Sequence, residues 1–340
     1  MTYLYCSSYG KGDQKGIYIV ELNKMSKKLS LIQQIVTTDY PSYLSIFNDT
    51  LFASYKNAHR DNHGGGIGSF QIQKDTLDIN SNFASNGRSY THLCNDQNYL
   101  FTANYHGGSI ASFALENNCV AYKIGAIHHH GIGPDIMQRQ TSPHVHCVVF
   151  TPDHKYICAV DLGIDQVVVY RFENGLLQQE SNSITLPAGS GPRHMIFSKN
   201  GKYAYIICEI SNQVFVYEYQ NKKFTFVQKI ATLPLNHDFS SASAIKLTSC
   251  NQFLFVSNRG HDSISLYQVN QINGKLSYLQ NIKTKKTPRD FEIIDDQIII
   301  VGAQDDDCLQ LFTFDKIKQL ITNTNHELTI SSPVCIVTKK

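Results

Sequence analysis

The 340-residue chain contains no tryptophan, no block of like charge and no long apolar run. Its 30 basic and 28 acidic residues leave a net charge of +2, which is too small to indicate a nucleic-acid or membrane surface. No window reaches the roughly 18 apolar residues of a spanning helix, and the N-terminus lacks a basic start followed by an apolar stretch. These absences predict a cytoplasmic protein whose partner is a small molecule.

The cysteines do not have the usual spacings of metal ligands. The nine cysteines form no C-x-x-C pair, and four lie inside apolar runs typical of strands, namely Cys147, Cys158, Cys208 and Cys335. We therefore expect reduced thiols in the core instead of disulfides or metal ligands. Three successive histidines at 128–130 are interpreted as part of a flexible loop without a nearby acidic partner, which favours a solvated loop over a metal site. No cofactor is expected.

Apolar spacing at three and four residues, the mark of amphipathic helices, is also absent. The 19 tyrosines and 18 phenylalanines lie mostly in short alternating segments, which favours strands. One such run follows a turn residue seven times, beginning at Gly16, Gly66, Gly108, Asp165, Asn212, Asp262 and Asp307. The starts lie about 42 to 57 residues apart, as expected for the blades of a β-propeller.

The order of segments within each repeat is constant, with one exception. A second run precedes each of these runs, and opening segments begin six units at Pro41, Ser89, Pro143, Pro192, Ser243 and Pro288. The first unit has no opening segment, whereas residues 332–337 look like one with nothing after it. We predict an all-β, seven-bladed β-propeller of four-stranded antiparallel blades, with residues 1–340 as one domain. The C-terminal strand completes the first blade as its innermost strand, which leaves no open edge.

The longest irregular stretch, residues 116–142, is predicted to cover part of one face of the ring. In each blade, the start of the innermost strand and the end of the second strand share a face, because the two strands are antiparallel. That face gathers most of the conspicuous polar residues, namely His144, His146, Arg193, His194, Arg289, Asn104, Asp161, Glu209, Asn258, Arg259 and Gln304. Cations, carboxylates and imidazoles around the axis predict a polar pocket for a small anion.

Several of these residues also have a purely structural explanation. Asp161 and Asp165 flank Leu-Gly-Ile, and acceptance of backbone N–H groups in that turn is the favoured interpretation for both. Arg289 fits a pair with a neighbouring blade equally well. His146 fits either a pocket residue or a structural imidazole. Glu209 ends an apolar run and requires a partner or a function.

An ordered set of motifs resembles one family over nearly the whole chain. The motifs are Arg139-Gln140, Pro143-His-Val-His146, Asp161-Leu-Gly-Ile-Asp165, Gly191-Pro-Arg-His194, Glu209, Ser257-Asn-Arg-Gly260 and Pro288-Arg-Asp-Phe291. The sequence resembles the propeller lactonases, which include bacterial 6-phosphogluconolactonases and fungal carboxymuconate cyclases. The resemblance implies a site at His146, Arg193, Glu209 and Arg259. Cys208, where members often have Asn, and an insertion at 55–60 depart from the family pattern.

The resemblance implies hydrolysis of a phosphorylated sugar lactone, 6-phosphoglucono-δ-lactone, the pentose phosphate step. We expect Glu209, or His146 as second choice, to activate water, with Arg193 and Arg259 as anchor and oxyanion contacts. The expected substrate-binding residues are His144, His194, Asn104, Asn258, Arg289 and Asp161. The alternatives are a lactone-forming cyclase or another lactonase, a calcium-dependent one included, and a non-catalytic propeller scaffold.

Overall fold

The computed structural model of the chain describes residues 1–57, 64–86, 88–134, 138–234 and 239–339. Its strands form seven separate antiparallel sheets. Each sheet has four strands in succession, and one carries a short fifth strand. The prediction of a seven-bladed propeller from the period-two repeats is confirmed.

The blades follow one another along the chain. Blade 1 contains β1 (Thr2–Tyr9), β2 (Lys15–Asn23) and β3 (Lys28–Val36); blade 2 contains β4 (Tyr40–Phe47), β5 (Thr50–Lys56), β6 (Gly66–Ile72) and β7 (Leu77–Ala84); blade 3 contains β8 (His92–Asn95), β9 (Tyr99–Asn104), β10 (Ser109–Glu116) and β11 (Cys119–His128). Blade 4 contains β12 (Val145–Phe150), β13 (Tyr156–Asp161), β14 (Gln166–Glu173), β15 (Leu176–Gln179) and the short β16 (Ile184–Thr185); blade 5 contains β17 (Pro192–Phe197), β18 (Tyr203–Cys208), β19 (Gln213–Gln220) and β20 (Lys223–Ala231). Blade 6 contains β21 (Ser241–Leu247), β22 (Phe253–Arg259), β23 (Ser263–Val269) and β24 (Leu276–Lys283); blade 7 contains β25 (Pro288–Ile294), β26 (Ile298–Ala303), β27 (Cys308–Asp315) and β28 (Leu320–Thr329); β29 (Pro333–Thr338) follows. Short 3₁₀ turns occupy Gly12–Gln14 and Gln304–Asp306.

The C-terminal strand closes the ring. β29 pairs antiparallel with β1, with Leu4 opposite Thr338 and Ser7 opposite Cys335, and becomes the innermost strand of blade 1. The innermost strands of successive blades contact one another all the way around, and β29 lies between β25 and β4. Both ends of the chain are therefore held in one sheet, as the sequence predicted.

The core consists of apolar layers between neighbouring blades. One layer joins Cys147 and Val169 of blade 4 to Met195 and Phe215 of blade 5, and a similar layer joins blade 7 to blade 1. Alternate residues of the inner three strands supply these layers, since successive side chains of a strand point to opposite faces. All nine cysteines are unpaired, and the four cysteines predicted to be core thiols are buried.

The prediction for residues 116–142 was wrong over its first part. Cys119–His128 forms β11, the outermost strand of blade 3, which pairs with β10 through two register shifts. Those shifts interrupt the alternation that would have marked it as a strand. The irregular segment begins at His129 and runs to β12, with 135–137 outside the described residues.

No helix long and apolar enough to cross a membrane occurs in the described parts of the chain.

Candidate active site

A β-bulge at the start of the innermost strand recurs around the ring. In blade 4 the register passes from Val145 directly to Cys147, and blades 5 and 7 repeat this shift. The residues skipped by the ladder are His146, Arg193 and Arg289. A bulge re-aims the extra residue out of the alternation of its strand. The same device therefore places a polar side chain at one end of three inner strands.

Glu209 is the centre of the polar cluster on this face. Its Oε2 lies 2.8 Å from Nη2 of Arg259 and 3.1 Å from Nε of Arg193, and its Oε1 accepts a hydrogen bond of 2.7 Å from Nη2 of Arg139. Glu209 and Arg193 are almost fully buried. One carboxylate thus holds three guanidinium groups, which come from blades 5 and 6 and from the segment before blade 4.

Backbone contacts fix Glu209 relative to Arg193. The Glu209 N–H donates to the carbonyl of Gly191 over 2.7 Å, which joins the end of β18 to the start of β17. Gly191 has a φ of +60°, and a Cβ there would lie 2.5 Å from Cγ1 of Ile210, so only glycine fits. Oδ1 of Asp165, from the preceding blade, accepts the Gly191 N–H over 2.7 Å. The Gly-Pro-Arg-His motif is therefore a turn built to carry Arg193.

The arginines decide the protonation of the cluster. Burial by itself raises the pKa of Glu209, but Arg259 and Arg193, followed by His146 and Arg139, outweigh it and hold that pKa well below its usual range. Burial and the charge of Arg259 lower the pKa of Arg193 to about 9, which leaves the guanidinium protonated at neutral pH. The cluster contains an ionised carboxylate that is a poor proton acceptor, surrounded by permanent cations.

Neutral aromatic rings lie next to the cluster. The ring of His194 is 5.2 Å from that of His146 and 5.4 Å from that of His92, and Tyr43 stacks on His92 at 3.8 Å. Nη1 of Arg193 lies 3.2 Å from Nε2 of His194. Burial and then the charge of Arg193 lower the pKa of His92 to about 3 and those of His146 and His194 well below the usual histidine value.

Acidification should therefore destabilise the folded propeller. The folded pKa of His92, His146 and His194 is below the unfolded value, so the unfolded chain binds more protons as the pH falls below about 6.5. Above that pH the three imidazoles do not reduce the free energy of unfolding. Below it, each imidazole lowers the free energy of unfolding by about 1.4 kcal/mol per pH unit. We expect the free energy of unfolding in urea to fall by about 4 kcal/mol between pH 7.5 and 5.5. His194→Gln should remove about a third of that change, and an unchanged pH dependence would contradict the assignment.

Asp161 is part of the framework. Its Oδ1 accepts the backbone N–H groups of His144 and Gly163 over 2.7 and 2.9 Å, and its Oδ2 lies 2.7 Å from Nδ1 of His129. Asp165 likewise accepts three hydrogen bonds from Gly189, Gly191 and Gln140. The structural interpretation of both carboxylates is confirmed.

The interpretation of residues 128–130 as a solvated loop without an acidic partner was wrong for His129. His129 is buried and its acidic partner is Asp161, which lies 32 positions further along the chain. Sequence distance concealed the pair, because the end of β13 meets the segment after β11 only in the folded propeller. In the described residues, no three His, Cys, Asp or Glu side chains are grouped to hold a metal ion.

The other predicted binding residues divide into two groups. His144 borders the cluster, since its ring stacks on Tyr105 at 4.3 Å, and Arg289 lies over the ring of Tyr9 at 5.5 Å and donates to Gln304. Asn104 and Asn258 are turned to structural contacts instead. Oδ1 of Asn104 accepts the N–H of Gly107 in the following turn, and Nδ2 of Asn258 donates to the carbonyl of Thr232, just after β20, and to the hydroxyl of Ser265 on β23.

Arg139 was not among the predicted site residues, although it appeared in one of the motifs. Its Nη2 donates both to Glu209 and, over 3.1 Å, to the hydroxyl of Tyr105. The Arg139-Gln140 motif before Pro143 was the sequence signal that could have indicated Arg139. In the structure, Gln140 donates a hydrogen bond to Asp165 and holds this segment in place. Residues 58–60 of the insertion at 55–60 lie outside the described part of the chain.

Comparison with known proteins gives consistent matches. The family model described as lactonase, 7-bladed beta-propeller, matches residues 3–338. A 6-phosphogluconolactonase of Bacillus subtilis is 34% identical over 343 residues, covering 98% of this chain and 97% of that protein. The structure of a periplasmic gluconolactonase of Pseudomonas aeruginosa superimposes with a TM-score of 0.92 at 26% identity, covering 100% and 99% of the two chains. A Lactobacillus plantarum protein superimposes equally well at 28% identity, covering 100% and 99%.

Proposed function

The chain belongs to the seven-bladed β-propeller lactonase family, and on that premise we propose that it hydrolyses a sugar lactone at the Glu209 cluster. The substrate we propose is 6-phosphoglucono-δ-lactone, and the product is 6-phosphogluconate. The Bacillus subtilis relative carries the name of that activity. A place in the pentose phosphate pathway and in the cytoplasm is part of the same proposal.

The excess of fixed positive charge around Glu209 is the main support for this proposal. Three guanidinium groups surround one carboxylate, and Arg289 adds a fourth near by, since its charge acts on both Arg193 and Arg259. A half-buried excess of cations favours an anionic ligand, because guanidinium groups bind phosphate and carboxylate in a bidentate manner. A neutral sugar alone would leave that charge uncompensated.

Lactone opening needs stabilisation of the carbonyl oxygen as it gains charge. Arg193 and Arg259 are suited to this, because each is held in place by a backbone carbonyl as well as by Glu209. Nη1 of Arg193 donates to Ser243 over 2.9 Å, and Nη2 of Arg259 donates to Ala242 over 3.3 Å. Donors fixed before the reaction stabilise the transition state without reorganisation. We assign Glu209 to positioning these two cations.

His146 is the better proton acceptor. The sequence favoured Glu209, but both oxygens of that carboxylate are already paired with guanidinium groups, so neither is available to a water molecule. Burial and Arg193 lower the pKa of His146 as well and keep its ring neutral, but that ring makes no hydrogen bond to the described residues and can accept a proton. In the proposed step the proton of a water passes to His146 as the water oxygen bonds to C1 of the lactone. The bond between C1 and the ring oxygen then breaks, and that oxygen takes the proton from the imidazolium.

The second candidate is formation of a lactone from a carboxymuconate-type acid, the reverse kind of reaction. The same cations would bind its carboxylates, so the cluster permits it. A purely non-catalytic scaffold would not explain why Nδ1 of His146 is buried without a hydrogen-bond partner beside a cluster of arginines.

A panel of substrates tests the proposal. The purified chain should hydrolyse 6-phosphoglucono-δ-lactone with a kcat/KM at least roughly 10-fold above that for glucono-δ-lactone, because a single charge-assisted contact is worth about 1.5–3 kcal/mol. A carboxymuconate should be cyclised slowly or not at all. Faster turnover of the carboxymuconate would favour the cyclase, and turnover of none of the three above the uncatalysed rate would overturn the proposal.

A further inference from the structure

The three guanidinium groups on Glu209 are not equivalent. The side chains of Arg193 and Arg259 are 3% and 18% exposed, and both share Oε2. Arg139 binds the other oxygen, Oε1, and its side chain is 39% exposed. Arg139 is therefore the member of the cluster that faces incoming solutes.

Arg139 is also held differently. Arg193 and Arg259 each donate to a backbone carbonyl of blade 6, whereas the described hydrogen bonds of Arg139 go to two side chains, Glu209 and Tyr105. Both are made by Nη2, so within the described residues its Nε and Nη1 hydrogens stay unused. These hydrogens are available to an anion that approaches from solvent.

Aromatic side chains next to Arg139 pack into a continuous wall formed by Tyr105, His144 and His146. Tyr105 stacks on His144 with ring centroids 4.3 Å apart and planes 9° apart, and Nδ1 of His144 lies 2.9 Å from the carbonyl oxygen of Tyr105. The edge of the Tyr105 ring meets the ring of His146 at 5.6 Å. The wall thus connects Arg139 to the imidazole that we assign to proton transfer.

We propose that Arg139, Tyr105 and His144 form an anion clamp, in which the Arg139 guanidinium turns from Glu209 to the phosphate of the substrate and selects phosphorylated lactones. The inference rests on the proposed function and adds to it the residue that decides substrate preference. Arg193 and Arg259 stay on Glu209 and serve the lactone carbonyl. The fork of a guanidinium matches two phosphate oxygens, which a lysine cannot reproduce.

The test compares variants on two lactones. Arg139→Gln should lower kcat/KM for 6-phosphoglucono-δ-lactone roughly 10- to 100-fold, mainly through KM, and that for glucono-δ-lactone by less than about 3-fold. Arg139→Lys should recover only part of the loss. Arg171→Gln is the control. It removes a half-exposed arginine whose partners, Gln178 and Glu180, lie at the outer edge of blade 4, and it should leave kcat/KM for both lactones unchanged.

Equal losses on both lactones would overturn the clamp, because they would mean that Arg139 only supports Glu209. No loss on either lactone would overturn it as well. A calorimetric titration with inorganic phosphate gives a readout that is independent of turnover: binding to the wild-type chain should weaken at least roughly 10-fold in Arg139→Gln. If the wild-type chain hydrolyses neither lactone, the proposed function fails, and the phosphate titration still decides the role of Arg139.

Discussion

Glu209→Gln is expected to lower kcat/KM for 6-phosphoglucono-δ-lactone by roughly 10² to 10⁴. The amide keeps the shape of the side chain but removes the charge that holds Arg193 and Arg259 on one oxygen. It also turns an NH₂ group toward at least one guanidinium, since the carboxylate accepts on both oxygens. The cations then lose the fixed geometry on which stabilisation of the carbonyl oxygen depends.

The same variant should lose stability, because the buried guanidinium of Arg193 is left without its counter-charge. Removal of one partner of a buried ion pair costs about 3–5 kcal/mol. Urea unfolding would measure this loss, and kinetics at low temperature would separate it from the loss of activity. Glu180→Gln, at a half-exposed pair with Arg171 at 3.8 Å, is the matched control and should change neither property. A kcat/KM for Glu209→Gln within about 3-fold of wild type would remove Glu209 from the active site.

His146→Gln is expected to lower kcat by roughly 10² to 10⁴ with little change in KM. Glutamine retains a polar side chain of similar length but cannot accept and return a proton at neutral pH. The His146 ring makes no hydrogen bond to the described residues, so the exchange removes the proton acceptor and the packing of the ring against Tyr105 and His194. Steady-state rates on 6-phosphoglucono-δ-lactone measure the effect directly.

The comparison of His146→Gln with Glu209→Gln assigns the roles. If Glu209 were the base, Glu209→Gln would lower kcat alone, and His146→Gln would leave most of the rate intact. In the proposed mechanism His146→Gln acts on kcat alone, whereas Glu209→Gln changes kcat, KM and stability together. His128→Gln, at an exposed histidine on β11, is the control and should behave as wild type.

The fold was predictable because its information is local and repeated. Alternation of period two marked the strands, and seven similar runs in a constant order defined the blades. The orphan segment at 332–337 could belong only to the blade that lacked an opening strand, and β29 does pair with β1. β11 was missed because two register shifts break its alternation.

The candidate site was predictable only in part, because antiparallel pairing tells which residues share a face and not where each side chain points. Glu209, Arg193 and Arg259 do meet. Asn258 precedes Arg259 on the same strand, and successive side chains of a strand point to opposite faces. Asn258 therefore contacts Ser265 and does not point toward the Glu209 cluster. Arg139 belongs to a segment without period, so only the Arg139-Gln140 motif pointed to it, and the motif did not show that it contacts Glu209.

The assignment of lactone hydrolysis to the Glu209 cluster is tested most directly by the rate at which the purified wild-type chain converts 6-phosphoglucono-δ-lactone to 6-phosphogluconate. The product is followed by its enzymatic oxidation, with the spontaneous opening of the lactone subtracted. We predict a kcat/KM on the order of 10⁴ M⁻¹ s⁻¹ or above, which Glu209→Gln reduces at least about 100-fold. A wild-type rate equal to the spontaneous rate, or a rate that Glu209→Gln leaves unchanged, would contradict the assignment of lactone hydrolysis to the Glu209 cluster.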